Sequence, residues 1–435
     1  MNVLVTNTRH PQAYPIVVAL RPHARKIVVT MCGPTRLGSR LAPVANSRLV
    51  DRRVHVPSPV EDWKAGNIRP ENTEREEAYI RAVIDICERE AIDTIFPSWD
   101  PKVYVFAKNR DRFARMGVQI PVPDYATVVT PLDKYRTVQA AERAGFPCPR
   151  TFLPETDAEL SAVTSALGFP VVLKPRFTSG ARGLHIVRSR AELREVWHRV
   201  TRQHSPPLVQ EYIPGLQKQN FYMVLDRRGH LVMSSSFTTH RLFLRIHRNS
   251  SAASQAASPH PFVEDAARFA ASLGWWGSVT VQTKIDPRDG RPKLMEVNPR
   301  TGHHLWLRTA LGLNEPELCL QIARGESPAR GAYVYTPGTM LLSPVEDLMV
   351  LGYSVLDRLA YRVRTDWLRR QPLDPLSPPM SLPELARSYG RTYLGDDPKA
   401  FDHYFRRFPR DPLPALLWWL VYLGQVLSAG KHLGG

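Results

Sequence analysis

The chain has 435 residues, enough at roughly 100 to 200 residues per domain for two or three domains, which excludes a small scaffold that depends on staples. Its 58 Lys and Arg against 41 Asp and Glu leave a formal net charge of +17, so the surface favours an anionic partner such as a phosphorylated ligand, nucleic acid or acidic lipid. A composition of 43% hydrophobic and 23% charged residues is that of a folded protein and excludes a disordered basic tail.

The β-branched runs Asn2 to Asn7 and Arg25 to Thr30 read as strands, with Pro15 to Leu20 as a helical crossover, so the chain opens as a βαβ unit. Thr73 to Glu90 has helical spacing, and Asp93 to Pro97 reads as a buried parallel strand. A helix over Pro101 to Met116 and a strand over Val118 to Val122 complete a parallel α/β layer that ends near Ala126 to Pro131. Beyond it, the pattern predicts a helix over Tyr135 to Ala144, stopped by Gly145 and Pro147, and a strand at Phe169 to Pro175. The small-residue loop Arg176 to Gly183 and a strand at Leu184 to Val187 make a hairpin with it. A helix at Ala191 to Thr201 and strands at Leu208 to Ile213, Phe221 to Asp226 and Leu231 to Thr238 follow. Arg241 to His260 then reads as a long polar stretch rich in Ser and Ala.

A helix at Phe262 to Leu273 precedes an antiparallel hairpin, Gly277 to Ile285 and Pro292 to Asn298, turned at Asp289-Gly290. Helices at His303 to Leu311 and Glu315 to Arg324 close the compact part. Helical candidates at Val345 to Val363 and Pro383 to Tyr389 flank the Pro-rich Gln371 to Pro383, and the apolar Leu413 to Ala429 follows Arg406, Arg407 and Arg410. That last segment, about 17 residues with Trp418, Trp419 and Tyr422, is at the lower edge of what spans a bilayer and reads as either a docking helix or an interfacial membrane helix. Cys32, Cys87, Cys148 and Cys319 form no CxxC pair and read as free thiols of a reducing compartment. Met1 runs directly into the first strand without a charged leader and apolar stretch, which predicts a cytoplasmic protein.

Three segments carry chemistry. Thr178-Ser179-Gly180-Ala181-Arg182-Gly183 sits between two strands, and its small side chains leave backbone N–H groups free to approach an oxyanion, although a plain turn has the same composition. Lys174 ends an apolar strand, where a charge is costly without a partner. In Leu294 to Arg300, Glu296 and Asn298 lie two apart and so share one strand face; with Gln282 on the paired strand they offer oxygens to a hard cation such as Mg²⁺, or form an ordinary polar hairpin face. Gln210-Glu211-Tyr212-Ile213-Pro214-Gly215 ends an apolar strand in a carboxylate and a turn, which suits the edge of an adenine or is simply a strand and its turn.

In their order and spacing these segments resemble the ATP-grasp superfamily of ATP-dependent ligases over about residues 1 to 325. The synthetase domains of the carbamoyl-phosphate synthetase large subunit and the carboxylate–amine ligases are nearest in motif, and D-alanyl-D-alanine ligase is more distant. The resemblance implies an α/β and α+β architecture. A parallel α/β domain preceding the ATP-grasp fold would occupy 1–128 and a two-lobed ATP-grasp domain 129–330, with its nucleotide-clamping lobe at about 134–212. A mainly helical, Pro-rich extension would occupy 331–435, with its apolar segment at 413–429. It implies that Lys134 and Lys174 neutralise nucleotide phosphates and that the loop including Ser179, Gly180, Arg182 and Gly183 closes over them. Gln210, Glu211, Tyr212 and Ile213 would line the adenine, Gln282, Glu296 and Asn298 would hold Mg²⁺ or Mn²⁺, and Arg300 would stabilise the phosphoryl group in flight. His247 stands where synthetase domains carry a His near the acyl phosphate. The acidic ribose-binding residue usual after Gly215 is missing from Leu216 to Asn220, where Gln217 or Gln219 can accept that bond.

The implied activity joins a carboxylate to an amine with release of ADP and phosphate, by an enzyme that works alone or as a homodimer. Substrate recognition is expected from Thr239 to Ser251, Arg300 to His304 and Pro97 to Lys102, with His303-His304 as substrate contacts or helix caps. If the apolar terminus is interfacial, a lipid-linked sugar or amino-acid envelope precursor is the expected substrate, met at the cytoplasmic membrane face. An ATP-binding sensor without turnover is the alternative. The scattered basic residues argue against nucleic acid.

Overall fold

The computed structural model describes residues 1–8, 12–32, 42–59, 68–178, 183–203, 206–215, 217–243, 250–302, 304–329, 334–344, 347, 348, 351, 382–417, 419 and 420. Its first layer is a four-stranded parallel sheet in the order β3-β2-β1-β4, formed by β1 (Asn2–Val5), β2 (Lys26–Met31), β3 (Arg52–His55) and β4 (Thr94–Phe96). Val3, Leu4, Val5, Ile27, Val28 and Val29 are all fully buried, as the near-continuous apolar runs of a doubly covered parallel sheet require. Helix α1 (Ala13–Leu20) is the predicted crossover, and α2 (Glu74–Glu90) follows β3. A capping box starts α2: Thr73 accepts from the Glu76 N–H while the Glu76 carboxylate accepts from the Thr73 N–H.

Two expectations fail in this layer. Val118 to Val122 forms no strand; Gln119 makes one bridge to Thr94, and Pro121 and Pro123 remove the donors a longer ladder needs. The helix expected over Pro101 to Met116 is split into α3 (Asp100–Lys108) and α4 (Arg110–Arg115) at Asn109, whose side chain donates to the Val105 carbonyl and to Asn72. The charged edge strand β3 was not expected at all, because Arg52, Arg53 and His55 are exposed and carry no apolar alternation.

Helix α5 (Tyr125–Leu132) runs through the expected end of the first layer, and α6 (Lys134–Arg143) follows on an Asp133 N-cap. A second sheet, in the order β5-β8-β6-β7, contains β5 (Thr151–Phe152), β6 (Val171–Lys174), β7 (His185–Val187) and β8 (Leu208–Glu211), all antiparallel. Helices α7 (Asp157–Leu167) and α8 (Arg190–Gln203) supply Leu160, Val163, Leu193, Val196 and Trp197 to its core. The third sheet has seven strands in the order β13-β12-β9-β10-β11-β14-β15. Its centre is β9 (Lys218–Leu225), β10 (Leu231–Phe243), β12 (Gly277–Ile285) and β13 (Pro292–Asn298). On the face bearing Phe221, Met223, Val279, Val281, Leu294 and Val297, this sheet packs in the same core as Phe269 of helix α9 (Val263–Ser272).

The polar stretch expected over Arg241 to His260 is mostly sheet: β10 extends to Phe243 and pairs with β11 (Ser250–Ala257). Ser and Ala have little intrinsic strand preference, but Ala253, Ser254 and Ala256 are buried, and close packing favours small side chains there. The C-terminal residues include helix α12 (Leu382–Leu394) and also two strands, β14 (Met340–Leu342) and β15 (Lys399–Phe401), which extend the central sheet beyond β11. The Pro-rich 371–381, most of the helical candidate at 345–363 and residues 421–435 lie outside the described residues. Among the described residues no helix is long and apolar enough to cross a membrane. Cys32, Cys87, Cys148 and Cys319 are free thiols, Cys148 alone only half-buried.

Candidate functional site

The site forms where the edge of the second sheet meets the open face of β9, β12 and β13. In register, Asn220 lies opposite Gln282 and Gln282 opposite Glu296, while Tyr222 lies opposite Thr280 and Thr280 opposite Asn298. Laterally paired residues share a face, so Gln282, Glu296 and Asn298 are brought together as their spacing predicts. Between Glu296 and Leu294 the register slips by one residue, a β-bulge at Met295. The Met295 carbonyl accepts a 3.2 Å hydrogen bond from Lys174 Nζ, which ties the end of β6 to the candidate cation site.

Lys174 is 7% exposed. Burial, and after it the neighbouring Lys134 ammonium, push its pKa down to about 8, against the pull of Glu296 in the other direction. Lys134 donates to the carbonyls of Arg176, at 3.5 Å, and Thr178, so it stands at the start of the glycine loop. Lys218, the first residue of β9, is also pushed down to about 8, by burial first and by Lys284 second, with Glu296 opposing. Two ammonium groups, Lys174 and Lys218, therefore bear on the Glu296 carboxylate, and Lys134 stands beside Lys174. Such an excess of buried positive charge suits a polyphosphate, and the oxygen set of Gln282, Glu296 and Asn298 suits a hard divalent cation. Among the described residues no group of three or more His, Cys, Asp or Glu forms a cluster for a softer metal.

Lys218 escaped the sequence reading, which searched 216–220 for an acid. The signal that marks Lys174, a cation ending an apolar run, is absent at Lys218, which stands among Gln217, Gln219 and Asn220. Asp100 was also missed as a site partner. Its carboxylate is bidentate to Arg300, at 2.6 Å to Nε and 3.4 Å to Nη2, across 200 residues of sequence. Arg300 Nη2 also donates to Asn298 Oδ1 at 3.1 Å, so the first layer holds the guanidinium beside the candidate cation ligands. Of the segment expected to contact substrate, Lys102 turns away: it is buried over the Tyr79 ring at 3.9 Å and 3.4 Å from Cys32 Sγ.

The expected adenine residues divide. The Glu211 carboxylate is neutralised within the protein by Arg288 at 2.7 Å and Arg150 at 3.9 Å, and Asp286 in turn holds Arg288. Gln210 is buried and donates to Thr151 Oγ1 at 2.6 Å, inside the second sheet. The Ile213 carbonyl accepts from Lys284 Nζ at 2.6 Å, and Lys284 lies over the Tyr212 ring at 5.1 Å. Gln217 is exposed just before β9. Gly183 has φ +70°, and a Cβ there would come 2.7 Å from Pro175 Cγ, so a closely folded loop requires glycine at that end. Ser179, Gly180, Arg182 and His247, with Arg245, Ile246 and Arg248, lie outside the described residues.

The two lobes, the preceding parallel layer and the lysines near an oxygen-bearing hairpin are the features by which the chain resembles the ATP-grasp class. Residues 133–327 match the family described as carbamoyl-phosphate synthase L chain, ATP binding domain, and residues 72–121 match a PylC-like N-terminal domain. The likeness to the ATP-grasp superfamily thus lies chiefly in residues 133–327. It is 25% identical over 277 residues to the carbamoyl phosphate synthase large chain of Pseudomonas syringae, covering 57% of this chain and 26% of that protein. It is 27% identical over 206 residues to the D-alanine--D-alanine ligase of Aromatoleum aromaticum, covering 44% of this chain and 65% of the ligase. The chain thus spans about a quarter of the length of the synthase large chains it matches. Among solved structures, biotin carboxylase from Campylobacter jejuni superposes with a TM-score of 0.60 at 16% identity, over 78% of this chain and 74% of that one. L-amino acid ligase from Bacillus licheniformis superposes with a TM-score of 0.57 at 19% identity, over 78% of each chain. At such identities these two structures speak for the fold alone.

Proposed function

We propose that the chain is an ATP-dependent carboxylate–amine ligase that works through an acyl phosphate. The observation that carries this reading is the meeting of Lys174 and Lys218 with Glu296 on the face that also bears Gln282 and Asn298, with Lys134 beside Lys174. A carboxylate is a poor acyl donor at neutral pH. Its oxygen attacks the γ-phosphorus of ATP, the bond to the ADP oxygen breaks, and an acyl phosphate and ADP result. The amine nitrogen then attacks the acyl carbon, a carbon–nitrogen bond forms, phosphate leaves and the amine sheds a proton. Lys134, Lys174 and Lys218 hold the phosphates. Arg300, braced by Asp100, stabilises the negative charge that moves during transfer. Gln282, Glu296 and Asn298 would hold Mg²⁺, or Mn²⁺, which would supply Lewis-acid neutralisation of phosphate oxygens. No protein nucleophile is required.

The exposed Leu413, Leu416 and Leu420, near Arg406, Arg407 and Arg410, favour peripheral contact with an anionic membrane and an amphiphilic, lipid-linked substrate. The test of the ligase reading is incubation with Mg·ATP, hydroxylamine and pools of carboxylates. At least one acid should give hydroxamate with stoichiometric ADP and phosphate. A protein that binds ATP through Lys174 yet releases ADP with no acid is a nucleotide sensor, and the ligase reading fails.

A further inference from the structure

Beside the candidate cation site, on the same face of the central sheet, lies a group of buried polar side chains that the nucleotide does not account for. Arg308, in helix α10 (Leu305–Ala310), is fully buried, with its guanidinium 4.7 Å from the Tyr222 ring. Its Nε donates to Glu315, a fully buried ion pair whose carboxylate also accepts from Ser278 Oγ. Arg308 Nη1 and Nη2 nevertheless make no hydrogen bond among the described residues. The hydroxyls of Thr280 and Thr301, 1% and 2% exposed, are in the same condition. Tyr222 links these residues: Thr280 lies opposite it in register, the Arg308 guanidinium lies on its ring, and Gly302, next to Thr301, is pressed against Thr280 and Tyr222 so tightly that a Cβ would come 2.7 Å from each.

A buried guanidinium edge and two hydroxyls left without acceptors are costly unless a ligand supplies the acceptors. Together they form a donor-rich site, and a planar pair of Nη groups matches a carboxylate in bidentate fashion. Because Glu315 already balances the Arg308 charge, the arrangement is neutral before the ligand arrives. A small pocket beside the end of β4 is lined by Phe96, Pro97, Arg300, Thr301, Ser278 and Cys319, and of these Ser278 donates to Glu315.

We propose that Arg308, with Thr280 and Thr301, binds the carboxylate of an organic acid substrate next to Asn298 and Arg300. Glu315 is its positioning residue. This inference rests on the ligase reading for the identity of its ligand as substrate, but the binding itself does not require turnover.

The experiment is a titration of acetate, and of acetamide as its neutral isostere, into protein saturated with Mg²⁺ and a non-hydrolysable ATP analogue, which removes the lysine cluster as a competing anion site. Saturation-transfer NMR reads the binding. Acetate should bind and acetamide should not, and Arg308→Met/Glu315→Gln, which removes both members of the ion pair, should weaken acetate at least about tenfold while keeping the nucleotide affinity. If that variant does not fold, the near-isosteric Thr280→Val/Thr301→Val should weaken acetate about tenfold at unchanged analogue affinity. Equal binding of acetate and acetamide, or acetate binding unaltered in the folded variant, overturns the proposal. Hydroxamate formation with a carboxylate KM that is indifferent to these variants would overturn it while leaving the ligase reading intact.

Discussion

At the scale of single residues, the decisive feature is charge held where water is scarce. Lys174 has a folded-state pKa of about 8, below the roughly 10.4 of an unfolded lysine, so its charged form weakens the fold at neutral pH. That penalty is complete below pH 8 and fades as pH rises toward 10. Lys174→Met should therefore raise the melting temperature of the nucleotide-free protein at pH 7, with a stability gain of about 1–3 kcal/mol that shrinks between pH 8 and 10, while nucleotide binding is lost. A Met variant that melts lower at pH 7 would contradict this account. Bound phosphates restore the ordinary lysine pKa, so binding must take up protons. Nucleotide affinity should be level below pH 8 and fall from pH 8 to 10, with a limiting slope near two protons for Lys174 and Lys218. Calorimetry in buffers of different ionisation enthalpy measures that uptake. Asp100→Asn leaves these lysines alone and releases Arg300, so kcat should fall by about tenfold or more with nucleotide affinity within about twofold.

At the scale of elements, legibility followed the range of the forces involved. Helix α2 could be read because its start signal is local: Thr73 and Glu76 cap each other within one turn. Thr73→Ala should cost about 1 kcal/mol in urea unfolding with an unchanged m-value. Strand β11 could not be read because Ser250 to Ala257 has no strand pattern of its own; its ladder exists because β10 on one side and β14 on the other supply partners. The missing strand at 118–122 is the converse case, where an apolar run fails for want of N–H donors. Within the site, Glu296 and Asn298 were legible from period-two alternation and Lys174 from its misplaced charge. Asp100 was not, since nothing near it in sequence announces Arg300 as its partner.

At the scale of the whole molecule, the C-terminal residues are part of the framework. Asp411 is buried and accepts from Tyr14 Oη at 3.2 Å, from Ser47 Oγ and from the Arg48 N–H at 3.2 Å, and Ala415 is fully buried in the core of the parallel layer. Burial and the Asp411 carboxylate both raise the Tyr14 hydroxyl far above its ordinary pKa, so it remains a donor at any working pH. A chain ending at residue 410 should lose stability sharply, because Tyr14 and Ser47 are left buried without their acceptor, at about 1–3 kcal/mol each. A chain ending at 420 keeps that anchor and should melt within a few degrees of the full chain. Comparing the two by differential scanning separates docking from membrane contact: if 413–429 is interfacial, the full chain should sediment with anionic vesicles and the chain ending at 420 should do so weakly. A full chain that stays in the supernatant would remove the membrane proposal.

The sequence by itself determined the parallel opening layer, the order of the ATP-grasp segments, the hairpin that carries Glu296 and Asn298, and the excess of positive charge that calls for an anion. Each depends on alternation, capping or turn residues within a few positions, where local sterics and hydrogen bonding decide. Tertiary structure alone decided which cation meets which carboxylate. The Asp100 clamp on Arg300, the Lys218 ammonium beside Glu296 and the Arg308 guanidinium on the Tyr222 ring all join residues far apart in the chain, and the energy of each comes from exclusion of water by packing that no short stretch of sequence encodes.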